Sequence, residues 1–336
     1  MVNIEMVKKL VAKYRNTRVL VVGDLMLDRY IHGTVSRISP EAPVPIVKVQ
    51  RETAAPGGAA NVALNIQALG GQAVVAGVVG TDLSGRELMR ILAADGIDVT
   101  GVISSPDLHT IVKTRILADR QQVVRVDHED PPESLNGITD QLCSNIRNVS
   151  DKVTGVIIED YSKGVINQKV IDAVIRSAKK NKVPVGLDPK DNEALNLRGI
   201  TFSTPNLKEA MLAAGLKEAP LSADVLADKN LQAASRILHG KWAPDFLMIT
   251  LGSHGMYLTS RKSKPCWIPA KAREVFDVSG AGDTVIAATM LSLAAGATPV
   301  EAATIANYCA GVVVAKIGTA TCTPEELLEY IRTTKV

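Results

Sequence analysis

Residues 277–284 read Asp277-Val278-Ser279-Gly280-Ala281-Gly282-Asp283-Thr284 and lead straight into the longest apolar run of the chain, around Val285 to Ala297. That run is shorter than the roughly 20 residues that span a bilayer. It predicts a buried helix, Ala281–Ala295. The two glycines allow a sharp turn, so successive N–H groups converge on one point. The helix dipole adds about half a positive charge there. Such a hole suits a phosphoryl group in transfer, with Gly280, Ala281 and Gly282 as its candidate walls. Asp283, in the first turn, is the candidate base for an incoming hydroxyl. Its pKa is expected to be low beside a helix N-terminus. A loose phosphoryl-transfer transition state, in which the hydroxyl proton leaves late, needs no stronger base. A turn followed by a helix cap accounts for the same residues.

Outward from this segment, short β-branched runs alternate with helical stretches. Strands are predicted at Arg18–Gly23, Ala73–Gly80, Thr154–Ile158, Pro184–Asp188 and Phe246–Leu251. Helices are predicted at Gly58–Leu69, Ser84–Asp95, Gln168–Asn181, Ala223–His239 and Val300–Ala315. Apolar strands with intervening helices indicate a mostly parallel sheet covered on both faces, a three-layer α/β/α fold. Two segments, Arg29–Thr53 and His109–Asp127, are too polar for that sheet. The second reads as a hairpin, Thr110–Leu117 and Gln121–Asp127 about an Ala-Asp-Arg turn. Together they predict a small β lid, discontinuous in sequence, within one domain spanning 1–336. Lids of this kind exclude water and often supply a dimer contact.

Composition narrows the class. Of 336 residues 46% are hydrophobic but only 3% aromatic, so the core is aliphatic, as suits covered parallel strands. The 38 basic and 35 acidic residues nearly balance, for a net charge of +3. That argues against general binding to nucleic acid or to a membrane surface. Cys143, Cys266, Cys309 and Cys322 form no CxxC pair and read as reduced, mostly buried thiols. His32, His109, His128, His239 and His254 lack metal spacing and read as surface or loop residues. Met1 to Arg18 is charged and amphipathic with no signal-peptide core, so a cytoplasmic location is expected.

Neither GxxxxGK[ST] nor GxGxxG occurs, which removes most support for an oxidoreductase and requires another device to hold phosphates. A second glycine motif, Pro56-Gly57-Gly58-Ala59-Ala60-Asn61-Val62-Ala63, permits close backbone approach to a ligand. Its Asn61 offers both donor and acceptor. Asp24 and Asp28 follow the first strand, at the sheet end where such folds bind ligands.

These two glycine motifs resemble the paired signatures of the ribokinase (PfkB) carbohydrate kinase family. Three further segments, Gly23–Tyr30, Ser36–Pro45 and Lys316–Thr319, resemble its heptose-7-phosphate kinase branch. The resemblance runs from about residue 16 to 333. It implies a ribokinase-like fold and ATP-dependent phosphorylation of the anomeric hydroxyl of D-glycero-β-D-manno-heptose 7-phosphate, toward ADP-heptose. It implies Asp283 as base, with Asp24, Asp28, Gly57, Gly58 and Asn61 on the sugar. Asn206, Leu207, Lys208 and Glu209 would support Mg²⁺ and the ATP phosphates, with Glu209 reaching the metal through water. Thr250, Gly252 and Gly255 would lie beside the nucleotide, and Asn307 near the adenine.

A sugar phosphate brings about two negative charges that must meet cations. Arg37, Arg115, Arg125, Lys163 and Lys190 are the candidates, with Asp160 in the same segment as Lys163. The branch often reads Ser-Asp-Tyr where this chain has Glu159-Asp160-Tyr161. That departure leaves a fructose- or ribose-type kinase as the alternative. A non-catalytic sugar sensor is a third reading, against which the intact Gly-Ala-Gly-Asp speaks. The expected partners are sugar phosphate, ATP and a second copy of the chain.

Overall fold

The computed structural model describes residues 3–119, 121–135, 137–190, 195–272 and 274–334. Arg120, in the expected hairpin turn, lies outside the described residues.

The central sheet has eight strands. Their order is Cys266–Ile268, Met256–Ser260, Phe246–Thr250, Phe202–Ser203, Val185–Asp188, Gly155–Glu159, Arg18–Gly23 and Gln72–Ala76. From Gln72–Ala76 across to Phe246–Thr250 all neighbours are parallel; the last two strands join antiparallel. Successive side chains of a strand point to opposite faces, and Arg18–Gly23 shows the consequence. Val19 and Val21 enter a core shared with helices Ile4–Tyr14, Ala59–Ala68, Ala281–Ala294, Pro299–Val313 and Pro324–Thr333. Leu20 and Val22 enter the opposite core, with helices Thr139–Ser150, Gln168–Asn181 and Lys229–Lys241. Each buried Val or Leu contributes about 1.5–3 kcal/mol. Two-sided burial is why these strands are apolar at every position.

The second sheet is the lid, in the order Pro45–Gly58, Leu25–Ile38, Ile111–Ala118 and Gln121–His128. Its roots reach further inward than residues 29 and 53. Only Asp24 separates its first strand from Arg18–Gly23, and Pro45–Gly58 runs directly into helix Ala59–Ala68. The lid therefore grows out of the elements that carry both glycine motifs. Every residue of Gln121–His128 is exposed.

Several expectations change in detail. Ala73–Gly80 is two strands: Gln72–Ala76 stays in the central sheet, while Val78–Gly80 pairs with Ile103–Ser105 apart from it. Ala223–His239 divides into a turn, Val225–Ala227, and a helix, Lys229–Lys241, because the Asp228 carboxylate caps the latter through Leu231 N–H at 2.8 Å. His239 is buried rather than superficial, its Nε2 sharing a hydrogen bond with Thr259 Oγ1 at 2.9 Å. Cys143, Cys309 and Cys322 are buried free thiols. Among the described residues no helix is long and apolar enough to cross a membrane.

Gly23 marks the closest approach in the sheet. A Cβ there would stand 2.1 Å from the backbone oxygen of Glu159 on the neighbouring strand. Gly23→Ala is expected to destabilise the fold by about 1–3 kcal/mol through overpacking. Urea unfolding reads this directly, and an unchanged midpoint would show that the two strand ends are not locked together.

Candidate active site

The carboxyl ends of parallel strands are where open α/β sheets bind ligands, and the polar residues here collect at those ends. Glu159 ends one strand and Asp188 its neighbour; the two are register partners. Ile157 belongs to the core under helix Ala281–Ala294 and Ile158 to the other, so alternation turns Glu159 toward that helix. Leu187 packs in the opposite core, which turns Asp188 the same way. The helix N-terminus stands above them. Gly280 is its N-cap at φ 77°, a left-handed conformation that glycine adopts without strain. A cleft of about 180 Å³ results, lined by Glu159, Asp188, Lys190, Glu209, Gly282 and Asp283 among others.

Asp283 is 5% exposed. Its Oδ2 accepts from Asn61 Nδ2 at 2.5 Å and its Oδ1 from the Tyr161 hydroxyl at 3.0 Å. Asn61 is steadied in turn: Asn65 Nδ2 donates to the Asn61 carbonyl at 2.9 Å, and Thr284 Oγ1 donates to Asn65 Oδ1 at 2.7 Å. The carboxylate is thus gripped from two sides. Burial raises its pKa above the ordinary 3.8, opposed by the hydrogen bonds from Asn61 and Tyr161. The low value expected beside a helix N-terminus is corrected here, because removal from water outweighs the dipole. Glu159 is raised further by burial and then by the charges of Asp188 and Asp283. Asp188 is raised by burial and then by Glu209. Neither oxygen of Glu159 has a hydrogen-bond partner among the described residues.

A second cavity, about 260 Å³ and mainly apolar, opens on the other side of the same helix turn. Val275, Val278, Val285, Val314, Gly252, Gly255 and Asn307 are among the residues that line it. Thr250 and Gly282 line both cavities. An apolar slot meeting a polar cleft at a helix N-terminus is the shape a nucleotide requires, base in the slot and phosphates at the turn.

Residues 16–326 match the pfkB family of carbohydrate kinases. This chain belongs to that family. The kinase is 41% identical over 322 residues to the bifunctional protein HldE of Geobacter metallireducens, covering 96% of this chain and 64% of that protein. It is 42% identical over 313 residues to HldE of Geobacter sulfurreducens, covering 92% and 62%. The chain thus spans less than two thirds of the length of these curated relatives. Its fold is that of the ribokinase from Arabidopsis thaliana solved with ribose and ATP: TM-score 0.73, 21% identity, 94% of this chain and 99% of that one. It equally matches phosphofructokinase-2 from Escherichia coli solved with potassium: TM-score 0.74, 18% identity, 95% and 100%.

The kinase's candidate residues separate into groups. Gly280, Gly282 and Asp283 line the polar cleft, but Ala281 turns to the slot, and its N–H already donates to the Val278 carbonyl at 3.2 Å. Asp24 is fully buried, and its carboxylate accepts from the backbone N–H groups of Tyr161, Lys163 and Val165. Burial pushes its pKa up to about 6 against those bonds. It holds the loop that carries Tyr161. Asp28 pairs with Arg115 at 2.5 Å at the lid root, next to Gly57, and Gly58 caps the helix of Asn61.

Glu209 forms a capping box with Asn206 and accepts from Lys190 at 2.9 Å. Leu207 packs against a core, and Lys208 lines neither cavity. Asp160 lines the cleft, whereas Lys163 pairs with Glu129 at 2.7 Å beside a different, smaller cavity. Asn307 donates to the Pro269 carbonyl at 2.7 Å. Arg125 pairs with Asp127 on the exposed lid strand. Arg37 is exposed and lies nine positions along the lid strand from Asp28, roughly 30 Å away by strand rise. Tyr161, Glu159, Asp188 and Thr204 were not predicted as site residues; for Glu159 and Asp188 a polar residue ending an apolar strand was the signal.

Asp283→Asn is expected to keep nucleotide binding and lose turnover by a factor on the order of 10² to 10⁴. Retention of more than about a tenth of the rate would make Asp283 a structural cap. Because a base must be deprotonated and this carboxyl is raised, activity should fall as pH drops through a value above 3.8. An acid limb at or below 3.8 would contradict the burial argument.

Proposed function

We propose that this chain transfers the γ-phosphoryl group of ATP to the anomeric hydroxyl of D-glycero-β-D-manno-heptose 7-phosphate, giving the 1,7-bisphosphate. The observation that carries the transfer is the meeting of two cavities at one helix turn. ATP would place its base in the apolar slot and its γ-phosphate before the N–H groups around Gly282. The sugar hydroxyl would stand against Asp283, held between Asn61 and Tyr161. Asp283 then orients the hydroxyl and receives its proton as the phosphorus–oxygen bond to ADP breaks. Mg²⁺ would shield the β- and γ-phosphate charge. The oxygen-rich cleft suits it, and Glu209, already bonded to Asn206 and Lys190, would act through water.

Sugar identity rests on the heptose-branch segments and on the HldE relatives. The lid root supplies Arg115, which pairs with Asp28 and lies over the Tyr30 ring at 5.4 Å, and the cleft supplies Lys190. Guanidinium groups suit phosphate oxygens. A panel of sugars with ATP should show the 7-phosphate used far better than unphosphorylated heptose. Arg115→Ala or Lys190→Ala should raise KM for the sugar phosphate more than KM for ATP. Equal turnover of ribose, fructose and heptose would favour the fructose- or ribose-type kinase.

The lid is read as both cover and dimer contact within a single kinase domain. Closure over the sugar would keep water from the phosphoryl donor. Ile38, Val49, Val123, Val124 and Val126 are exposed on its strands, an apolar surface that a second copy would bury. Sedimentation should therefore find a dimer, and Val124→Lys with Val126→Lys should shift it to monomer. A monomer at all concentrations of the unaltered chain would remove the dimer.

A further inference from the structure

Beneath the cleft, one carboxylate oxygen from each of Glu159, Asp188 and Asp283 lies within 4.8 Å of the others. A cluster of acids alone says little. Glu159 adds an independent observation: it is 1% exposed, and neither oxygen has a hydrogen-bond partner among the described residues. Buried charges are ordinarily paired or bound to a metal. The surrounding donors serve the other two acids. Thr204 Oγ1 donates to Asp188 at 2.9 Å, and Asn61 and Tyr161 donate to Asp283. Each oxygen that accepts one of these bonds keeps a second lone pair.

The strand geometry makes this a built arrangement. Glu159 and Asp188 are forced side by side by the parallel register, and the helix above lowers Asp283 onto them. Three carboxyl groups converge at the wall of the cleft. No hydrogen bond among the described residues relieves Glu159, which leaves that task to a proton or a cation. We propose that Glu159, Asp188 and Asp283 hold a divalent cation before nucleotide arrives, distinct from the ion that enters with ATP.

The dimensions and donors select its chemical class. Oxygen ligands lie at about 2.0–2.1 Å from Mg²⁺ and about 2.3–2.6 Å from Ca²⁺, so opposite ligands stand roughly 4–5 Å apart. The 4.8 Å limit on the three oxygens falls within that span. An all-oxygen set suits Mg²⁺, Mn²⁺ or Ca²⁺ rather than a softer metal. The cleft of about 180 Å³ leaves room for the waters that complete the shell, at about 30 Å³ each. Such an ion would hold the three carboxyl groups together at the helix N-terminus before the sugar binds.

The experiment uses Mn²⁺ alone, followed by its electron paramagnetic resonance signal, on the full chain without nucleotide. One saturable site per chain is expected, with affinity at least about tenfold weaker in Glu159→Gln and in Glu159→Ser, since losing even an outer partner of a metal ligand typically costs about 10–100-fold. Thermal unfolding gives the second reading. In EDTA, Glu159→Gln should melt no lower than the wild type, because the isosteric amide carries no charge. Mn²⁺ should then raise the melting temperature of the wild type but not of either variant. Absence of Mn²⁺ binding below millimolar concentration, or equal binding by the variants, would overturn the site and leave a shared proton as the relief of Glu159. The result is independent of the sugar panel, so either reading can fail without the other.

Discussion

The 2.5 Å hydrogen bond between Asn61 and Asp283 joins the two glycine motifs, which lie 222 positions apart in sequence. It forms only if helix Ala59–Ala68 and helix Ala281–Ala294 meet side by side above the strand ends. Thr284 and Asn65 reinforce that meeting with a second buried bond. Much of the surrounding structure follows from it. Both helices press apolar faces into one core, so the grip on Asp283 is backed by packing that cannot relax without opening cavities. A carboxylate held in this way keeps its orientation without help from substrate, which is the preorganisation that phosphoryl transfer needs.

The opposing constraint is electrostatic. Glu159, Asp188 and Asp283 share a water-poor place, and each has its pKa raised by burial before any neighbour is considered. Such a cluster destabilises the empty fold, and strain of this kind concentrates where a cationic or phosphorylated ligand is to be received. The apolar slot next to it imposes no comparable cost. The two cavities therefore differ in character although they share Thr250 and Gly282.

Asp24 shows how the lid is tied to this arrangement. It is the single residue between the central strand Arg18–Gly23 and the lid strand Leu25–Ile38, and it is fully buried. Its carboxylate accepts three backbone N–H groups from the loop that delivers Tyr161. One acidic side chain thus fixes the root of the lid and one of the two donors to Asp283. The tip has no such anchor: Gln121–His128 is exposed throughout. A rigid root and a solvated edge are what a cover that moves as a unit would have.

The α/β/α layering, the strands and helices on either side of both glycine motifs, and the role proposed for Asp283 were legible in the amino-acid order. They depend on local periodicity and on glycine positions, which a chain displays before it folds. Helix Gln168–Asn181 and strand Arg18–Gly23 appear at their expected bounds for that reason. Short elements such as Phe202–Ser203, Leu207–Ala213 and Cys266–Ile268 carry too few residues for a period to show, and neighbours decide them. The same holds for Glu159 and Asp188, polar residues at the ends of apolar strands whose significance comes from register. Tyr161 reaches Asp283 only because Asp24 folds its loop back, and Lys163, two residues on, is turned to a different cavity. Burial, too, is a tertiary property: the sequence around Asp283 announced a helix N-terminus and a low pKa, while packing removed the water and raised it. Sequence by itself determined which residue types were available and the elements that carry them. Only the tertiary structure decided which of them share a dry space, because desolvation and distance belong to the fold.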